Sequence, residues 1–304
     1  MSVDLSKIKT ESSNELTKDI DLLETIDIIT LINEEDKKVA FAVEKEKDKI
    51  AKLTDEVVKA FNNDGRLIYM GAGTSGRIGI IDAVECRPTF GVCDEMVSCL
   101  MAGGMNAFVK AVEGAEDNYE LGKEDLIKIG LSKKDVVIGI AASGRTPYVM
   151  GGIGYAKEVG SVTGCIVTSP NSPLASLVDF PVEAIVGPEV ITGSTRMKSG
   201  TAQKMICNMI STTAMIKLGK VYSNLMIDVM PTNEKLRARA RSIIMKVTGV
   251  SEEVAKDSLE KYGSVKKALF SILSGVKDVS EVNKILDNNR GHIRKALEEV
   301  KKNG

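Results

Sequence analysis

The sequence predicts an α/β protein with a five-stranded parallel sheet between two layers of helices, a three-layer αβα arrangement. Three observations predict it: five short apolar runs, helical periodicity between them, and hydroxyl-bearing glycine loops after two of the runs. Strands that alternate with helices along a chain form parallel sheets, because each connection crosses back along a helix. The predicted strands are residues 66–70, 95–101, 135–141, 162–168 and 180–186.

Helices are predicted before the sheet. Residues 21–33 and 36–61 carry apolar side chains at spacings of three and four among charged ones, which is typical of helices with one buried face. Residues 62–65, Asn-Asn-Asp-Gly, provide the stop signal. We therefore expect N-terminal helices that pack on a neighbouring domain or subunit.

Helices are also predicted after the sheet. The 187–196 loop leads into a long helix that we expect to reach about Leu218. From Thr232, short helical segments alternate with glycine-containing turns, which predicts a small C-terminal helical bundle. The predicted domains are an N-terminal helical segment (1–53), the sheet domain (54–228) and the C-terminal bundle (229–304).

The composition of the chain argues against several classes of function. A chain of 304 residues can bury a full core, and a net charge of −1 gives no electrostatic reason to bind nucleic acid or a membrane. The absence of Trp argues against stacking on nucleic-acid bases. The sequence contains no run of 18 apolar residues, so no membrane-spanning helix is predicted.

Five cysteines without a Cys-x-x-Cys pair fit a cytoplasmic protein with free thiols. The single histidine, His292, excludes a His-rich metal centre, so we expect acid–base chemistry from carboxylates, lysines or tyrosines.

The loop after the first strand predicts an anion site. Gly71, Gly73 and Gly76 interrupt the apolar run and surround Thr74 and Ser75. A helical pattern follows over residues 78–84, and a proline at position 88 is expected to stop it. Strand, glycine loop and helix in this order direct backbone N–H groups and the positive end of the helix dipole towards a ligand.

A second loop strengthens that prediction. Residues 142–147, Ala-Ser-Gly-Arg-Thr-Pro, follow the third strand. In a sheet of order 2-1-3-4-5 the first and third strands are neighbours, and their loops flank the switch point where ligands bind. Ser143, Arg145 and Thr146 could instead form only a helix cap. Two such loops at one crevice favour a small anionic ligand.

The ligand is more consistent with a monophosphate than with a dinucleotide. Gly71-x-Gly73-x-x-Gly76 matches the dinucleotide fingerprint, but the match needs an acidic residue after the second strand to bind the ribose. That strand ends in residues 100–104, Leu-Met-Ala-Gly-Gly, which contain no acid. A nicotinamide cofactor is therefore not expected.

Two carboxylates are candidates for catalysis. Glu85 lies late in the predicted first helix, where an acid is unfavourable for the helix dipole. Glu116 belongs to an acidic cluster broken by glycine at 112–118. Composition alone also allows both to be solvated surface residues, as it does for Arg66, Arg77 and Arg87.

Several long motifs are spread along the chain. They are Gly71-Ala-Gly-Thr-Ser-Gly-Arg77, Glu85-Cys86, Pro88-Thr-Phe-Gly91, Val112-Glu-Gly-Ala-Glu-Asp117, Gly139-Ile-Ala-Ala-Ser-Gly-Arg-Thr-Pro-Tyr148, Gly193-Ser-Thr-Arg-Met-Lys-Ser-Gly-Thr-Ala-Gln-Lys204, Asn224-Leu-Met-Ile-Asp-Val229 and Thr232-Asn-Glu-Lys-Leu236. Together these motifs resemble the N-acetylmuramic acid 6-phosphate etherases, a family within the sugar isomerase (SIS) superfamily. The resemblance runs from Thr10-Glu11 to the Gly291–Leu297 tail, which is nearly the whole chain. Arg87 departs from the family pattern, which usually has proline at this position.

The resemblance implies a SIS fold and a lyase that releases D-lactate from N-acetylmuramic acid 6-phosphate without a cofactor. It assigns acid–base catalysis to Glu85, as proton donor, and Glu116, one of which should then have a raised pKa. It implies that the 6-phosphate is bound by Thr74, Ser75, Ser143, Gly144, Arg145 and Thr146. Further substrate contacts are expected at Glu189, Ser194, Thr195 and Lys198.

The resemblance also implies a homodimer. Ser75 and Glu85 are ten residues apart, or about 15 Å along a continuous helix, which is longer than a hexose phosphate. Either the helix bends at Gly79, or Glu85 serves the phosphate loop of a second subunit. Two other functions stay open from the residues: a non-catalytic sugar-phosphate sensor and an aldose–ketose isomerase of the SIS superfamily.

Overall fold

A computed structural model describes residues 9–110, 112–228 and 234–303. The described chain forms two compact units. The first extends to Val84 and resumes over Asp94–Ser211, and the second contains Glu85–Cys93 and the described residues from Thr212 onward. The predicted domain boundary at 229 and the Thr232 motif start lie outside the described residues.

The first unit contains a five-stranded parallel sheet of order β2-β1-β3-β4-β5, as the sequence predicts. Every residue of β1 and β3 is buried, because helices cover both faces of a parallel sheet. Tyr69 pairs with Cys99 on one side and Ile138 on the other. The strands are β1 (Leu67–Gly71), β2 (Val97–Met101), β3 (Val136–Ile140), β4 (Val162–Val167) and β5 (Phe180–Glu183).

Two helices precede the sheet, but their junction differs from the prediction. The sequence places a break at 34–35, whereas α1 continues through it (Thr25–Glu44) and α2 follows at Lys47–Phe61. Glu35, at the position of the expected break, is buried and makes ion pairs within the first unit. The other helices of this unit are α3 (Gly73–Phe90, which continues into the second unit), α4 (Asn106–Val109), α5 (Tyr119–Lys128), α6 (Pro147–Val159), α7 (Pro173–Leu177) and α8 (Lys198–Lys217, which also continues).

Glycine allows α3 to lie against the sheet at backbone distance. A Cβ atom at Gly76 would lie 2.8 Å from Met101 Cγ and 2.9 Å from the carbonyl oxygen of Gly71. A Cβ atom at Gly79 would lie 2.7 Å from Cys99 Sγ. Any larger side chain would push the helix away from β1 and β2.

Pro88 does not stop α3, contrary to the sequence prediction. The helix continues to Phe90 with the proline in its last turn. It ends at Gly91, whose φ is +64° and whose N–H donates to the carbonyl of Arg87 at 2.9 Å. A Cβ atom there would lie 2.2 Å from the carbonyl oxygen of Asp228, so this helix end requires glycine.

The second unit is mainly helical, with one short hairpin, β6 (Val221–Tyr222) and β7 (Leu225–Met226). Glycine-containing turns separate its helices, as the sequence predicts. The glycines are Gly249, Gly263, Gly275 and Gly291, and all four have positive φ. Among the described helices, none combines the length and the apolar character needed to cross a bilayer. The helices are α9 (Glu234–Thr248), α10 (Glu252–Tyr262), α11 (Val265–Ser274), α12 (Val279–Asn288) and α13 (Ile293–Asn303).

An ion pair fastens the starts of β1 and β3. The Arg66 guanidinium donates to Asp135 Oδ2 at 2.8 Å and to Oδ1 at 3.1 Å, and the Arg66 backbone N–H donates to Oδ1 at 2.9 Å. Ser132 adds a backbone bond to Oδ2 at 2.9 Å. Burial pushes the pKa of Asp135 up, but these bonds outweigh it and hold the pKa below its usual range.

We predict that Asp135→Asn lowers the free energy of unfolding by roughly 2–3 kcal/mol at pH 7. Because the pKa of Asp135 is lowered on folding, its contribution is present above pH ~4 and disappears as pH falls further. Urea titrations at several pH values should show the difference from the unsubstituted protein shrinking below pH ~4.

Glu34→Gln is the matched control, since Glu34 forms an exposed ion pair with Lys37. Its effect should stay below about 1 kcal/mol at every pH. A difference at Asp135 that stays constant down to pH 2 would contradict the assignment.

Candidate functional site

A cleft of about 390 Å³ opens beyond the carboxyl ends of β1 and β3. These strands are neighbours at the switch point of the sheet, which is where ligands bind in folds of this kind. The loops after the two strands both line the cleft. The structure therefore brings together the two loops that the sequence singled out.

The first loop leads directly into α3. Gly73 begins the helix with a φ of +52°, and Thr74 and Ser75 follow in its first turn. The Ser75 hydroxyl donates to Gln203 Oε1 at 3.0 Å. Gln203 is fully buried, so it fixes this part of the cleft from α8. Gln203 was not predicted as a site residue, although Gln203 lies within the 193–204 motif.

The second loop depends on glycine. Gly144 has a φ of +64°, and a Cβ atom there would lie 2.3 Å from Ser172 Oγ. Thr146 is the N-cap residue of α6, but its side chain makes no capping hydrogen bond. Ser143, Arg145 and Thr146 line the cleft. Capping therefore does not account for these side chains, and they are available to a ligand.

Carboxylates also line the cleft. Glu116 is among the lining residues and its side chain is exposed. Its carbonyl accepts a hydrogen bond from the Tyr148 N–H at 3.0 Å, which ties the acidic segment to the start of α6. Glu11 also lines the cleft. It was absent from the predicted site residues, and its position in the Thr10-Glu11 motif was the available signal.

Glu85 is not among the residues that line this cleft. It lies on α3 in the part of the helix that belongs to the second unit, and its side chain is exposed. Arg87 is also exposed. Glu85 and Glu116 are both exposed in the single chain.

The loop after β5 contributes Gly193 and Thr195 to the lining of the cleft, and other residues in and after it are bound within the protein. Thr195 lines the cleft, while Ser194 is half-buried outside the described lining. Glu189 is fully buried and accepts the backbone N–H groups of Lys198 and Ser199, each at 2.9 Å. It therefore caps the start of α8 and satisfies donors that a helix leaves unpaired.

The Lys198 ammonium is also bound within the protein. It donates to Glu35 Oε2 at 2.5 Å, and both side chains are buried. Lys38 binds the other carboxylate oxygen of Glu35. Burial pushes the pKa of Glu35 up, but hydrogen bonds from the two lysines outweigh it and hold the pKa below its usual range. Lys198 and Glu189 therefore stabilise the start of α8, and their predicted substrate contacts stay a prediction.

A second lobe of about 200 Å³ adjoins the cleft. It shares Ala72, Gly73 and Glu116 with the larger lobe and is otherwise bordered by Arg77 of α3, the end of β2 and the segment that follows β2. Glu116 thus borders both lobes. The combined site offers hydroxyls and helix N–H groups in one lobe and a carboxylate where the lobes meet.

Two family models match the chain. The model of the glucokinase regulatory protein N-terminal SIS domain matches residues 49–157, and the SIS domain model matches residues 115–212. Together they span the sheet and the loops that line the cleft. The first unit is therefore a SIS domain.

Curated relatives match over nearly the full length. The N-acetylmuramic acid 6-phosphate etherase of Clostridioides difficile is 54% identical over 299 residues, covering 98% of both chains. That of Aliivibrio salmonicida is 50% identical over 298 residues, covering 98% of this chain and 99% of its own. A solved phosphoheptose isomerase from Neisseria gonorrhoeae has a TM-score of 0.49 at 15% identity, over 63% of this chain and 98% of that one.

We predict that Lys198→Met destabilises the protein by about 3 kcal/mol, because it leaves Glu35 buried with one of its two cations missing. Adding Glu35→Met should recover most of that loss, since an apolar pair of similar size can replace a buried ion pair. Denaturant titrations of the single and double variants measure both effects.

The same variants distinguish a structural Lys198 from one that binds ligand. If Lys198→Met keeps its stability while its KM rises strongly, the ammonium contacts substrate and the structural assignment is wrong.

Proposed function

The chain belongs to the N-acetylmuramic acid 6-phosphate etherase family, and from that membership we infer that its cleft binds N-acetylmuramic acid 6-phosphate. The protein is a carbon–oxygen lyase. It cleaves the D-lactyl ether of this substrate and yields N-acetylglucosamine 6-phosphate and D-lactate. Its role is therefore in amino sugar catabolism and the recycling of cell-wall material.

The meeting of two hydroxyl-rich loops at the switch point carries the proposal. Thr74 and Ser75 stand at the start of α3, and Ser143 and Thr146 precede α6. Hydroxyls, backbone N–H groups and the positive ends of two helix dipoles suit the 6-phosphate, and Arg145 adds a positive charge. Binding the phosphate positions the sugar more than it drives the chemistry.

The reaction needs a base and an acid, and no cofactor. In the open-chain sugar the C1 aldehyde acidifies the C2 proton, which the base removes. The C3–O bond then breaks, and the lactyl oxygen takes a proton from the acid. Water adds its hydroxyl to C3 of the unsaturated aldehyde, and C2 regains a proton. Glu116 supplies one carboxylate from the cleft, and Glu85 is proposed as the proton donor.

Glu85 takes part through a homodimer in this proposal. It is exposed, and the neighbouring Ile81 and Val84 are apolar side chains of α3 that are 50% and 63% exposed. Apolar side chains beside an exposed candidate acid are consistent with a face that a second copy covers. The proposed site then combines one subunit's cleft with the other's Glu85.

The lyase assignment is preferred to the two alternatives. A sensor resembling the glucokinase regulatory protein has one model match in its favour, residues 49–157, but the full-length relatives are named etherases. An aldose–ketose isomerase would convert a sugar phosphate without releasing lactate.

A cytoplasmic location belongs to the same proposal, because all five cysteines are free.

We predict that Glu116→Gln and Glu85→Gln each lower kcat by ~10²–10⁴-fold, because each removes a proton-transfer group. An enzymatic D-lactate assay with N-acetylmuramic acid 6-phosphate measures the rate. Glu120→Gln is the matched control, because Glu120 is an exposed carboxylate that lines neither lobe, and it should retain kcat within about tenfold of the unsubstituted protein. Unchanged lactate release in both glutamate variants would refute the catalytic assignment.

Mixed dimers test the shared site. We predict that a Glu85→Gln chain and a Glu116→Gln chain, each with little activity alone, regain activity when they are denatured and refolded together, because Glu116 lines the cleft of its own subunit. Random pairing makes half of the molecules mixed, and each mixed dimer has one intact site. Activity should thus approach about one quarter of the unsubstituted level, by the expected arithmetic of independent sites. No recovery, with dimers present, would place both residues in one subunit's site.

A further inference from the structure

The second lobe of the cleft is a built cavity that the phosphate site does not use. Met101, Ala107 and Val112 form its apolar part, and Arg77 contributes its positive charge. Gly103 has a φ of +83°, and a Cβ atom there would lie 2.9 Å from Val112 Cβ and 3.1 Å from Ala107 Cβ. Close packing around a glycine therefore shapes the apolar wall.

Arg77 is held in a defined orientation. Its Nε donates to the carbonyl of Phe108 at 2.9 Å, and its Nη2 donates to the carbonyl of Ala107 at 2.8 Å. A guanidinium has five N–H donors in one plane. Two successive carbonyls occupy the edge formed by Nε and Nη2, so the edge formed by Nη1 and Nη2 remains for another acceptor.

Charge indicates which acceptor fits. In the described parts of the chain, Arg77 forms no ion pair, although Glu113 and Glu116 border the same lobe. A half-buried guanidinium with a free edge is suited to bidentate binding of a carboxylate. The ligand group for this lobe should therefore combine a carboxylate with a small apolar part.

We propose that the second lobe binds the D-lactyl group, with its carboxylate on Arg77 and its methyl group against Ala107 and Val112. This inference rests on the proposed function. The substrate carries two anionic groups, a phosphate at C6 and the lactyl carboxylate at the C3 ether. With the phosphate in the hydroxyl-rich lobe, the ether lies where the lobes meet, beside Glu116. Arg77 is then the residue that distinguishes the substrate from its own product.

The test compares N-acetylmuramic acid 6-phosphate with its lactyl carboxamide, which has the same shape but no carboxylate charge. The unsubstituted protein should process the acid with a kcat/KM about 10- to 100-fold higher than the amide, as expected for a hydrogen-bonded charge. Arg77→Met should abolish that preference by lowering kcat/KM for the acid. Equal losses for acid and amide would mean that Arg77 only supports α4, and would overturn the proposal.

Two further measurements keep the outcome clear. N-acetylglucosamine 6-phosphate lacks the lactyl group, so its inhibition constant should stay within about threefold in Arg77→Met, whereas Ser143→Ala should weaken it about tenfold or more. A Ser143 variant without that effect would count against the phosphate site and the proposed function. Glu113→Gln removes a nearby negative charge and should increase the preference for the acid.

If Arg77→Met fails to fold, the unsubstituted protein still decides the question. Equal kcat/KM values for acid and amide would overturn the proposal without any variant.

Discussion

The contact between α3 and the sheet is the constraint on which the site depends. The helix can lie this close to the sheet because Gly76 and Gly79 have no side chains. Cβ atoms at these two positions would lie less than 3 Å from the side chains of Met101 and Cys99. This close approach fixes the start of α3, with Thr74 and Ser75, at the end of β1. The helix that presents N–H groups to the phosphate also carries Arg77 to the second lobe, so both proposed anion contacts depend on one packing interface.

The features that sequence predicted well were encoded locally. Apolar runs and glycine loops identified five strands, their order, and the two loops at the cleft. Contacts between distant residues could not be predicted in this way. Helix α1 continues through the break expected at 34–35, and Glu35 at this position pairs with Lys198, which is 163 residues away. Gln203 reaches Ser75 across 128 residues, and no local pattern could reveal that bond. Pro88 is compatible with the last turn of α3 but does not end the helix. The helix ends at Gly91, which has a positive φ.

Lys198 and Glu189 have contacts within the protein that the motif alone does not reveal. The segment from Gly193 to Lys204 has the hydroxyls and charges of a binding loop. Glu189, which precedes this segment, accepts two backbone N–H groups at the start of α8, and Lys198 within it neutralises a buried carboxylate on α1. Only Thr195 of the predicted contacts in this segment lines the described cleft. A structural frame of this kind holds Gln203, and through it Ser75, in place.

The two proposed anion contacts constrain the chemistry between them. A sugar fixed at its 6-phosphate and at its lactyl carboxylate has both ends held, so the C2–H and C3–O bonds lie near the junction of the lobes. Glu116 borders that junction, and its backbone is tied to α6 by the bond to Tyr148. Restraining both charged ends reduces the entropy lost on reaching the transition state. Binding at both ends also keeps the two anionic groups away from the reacting bonds. The two proposed proton-transfer groups, Glu116 of the cleft and Glu85 of the second subunit, can then act at C2 and at the ether oxygen without binding either end of the substrate.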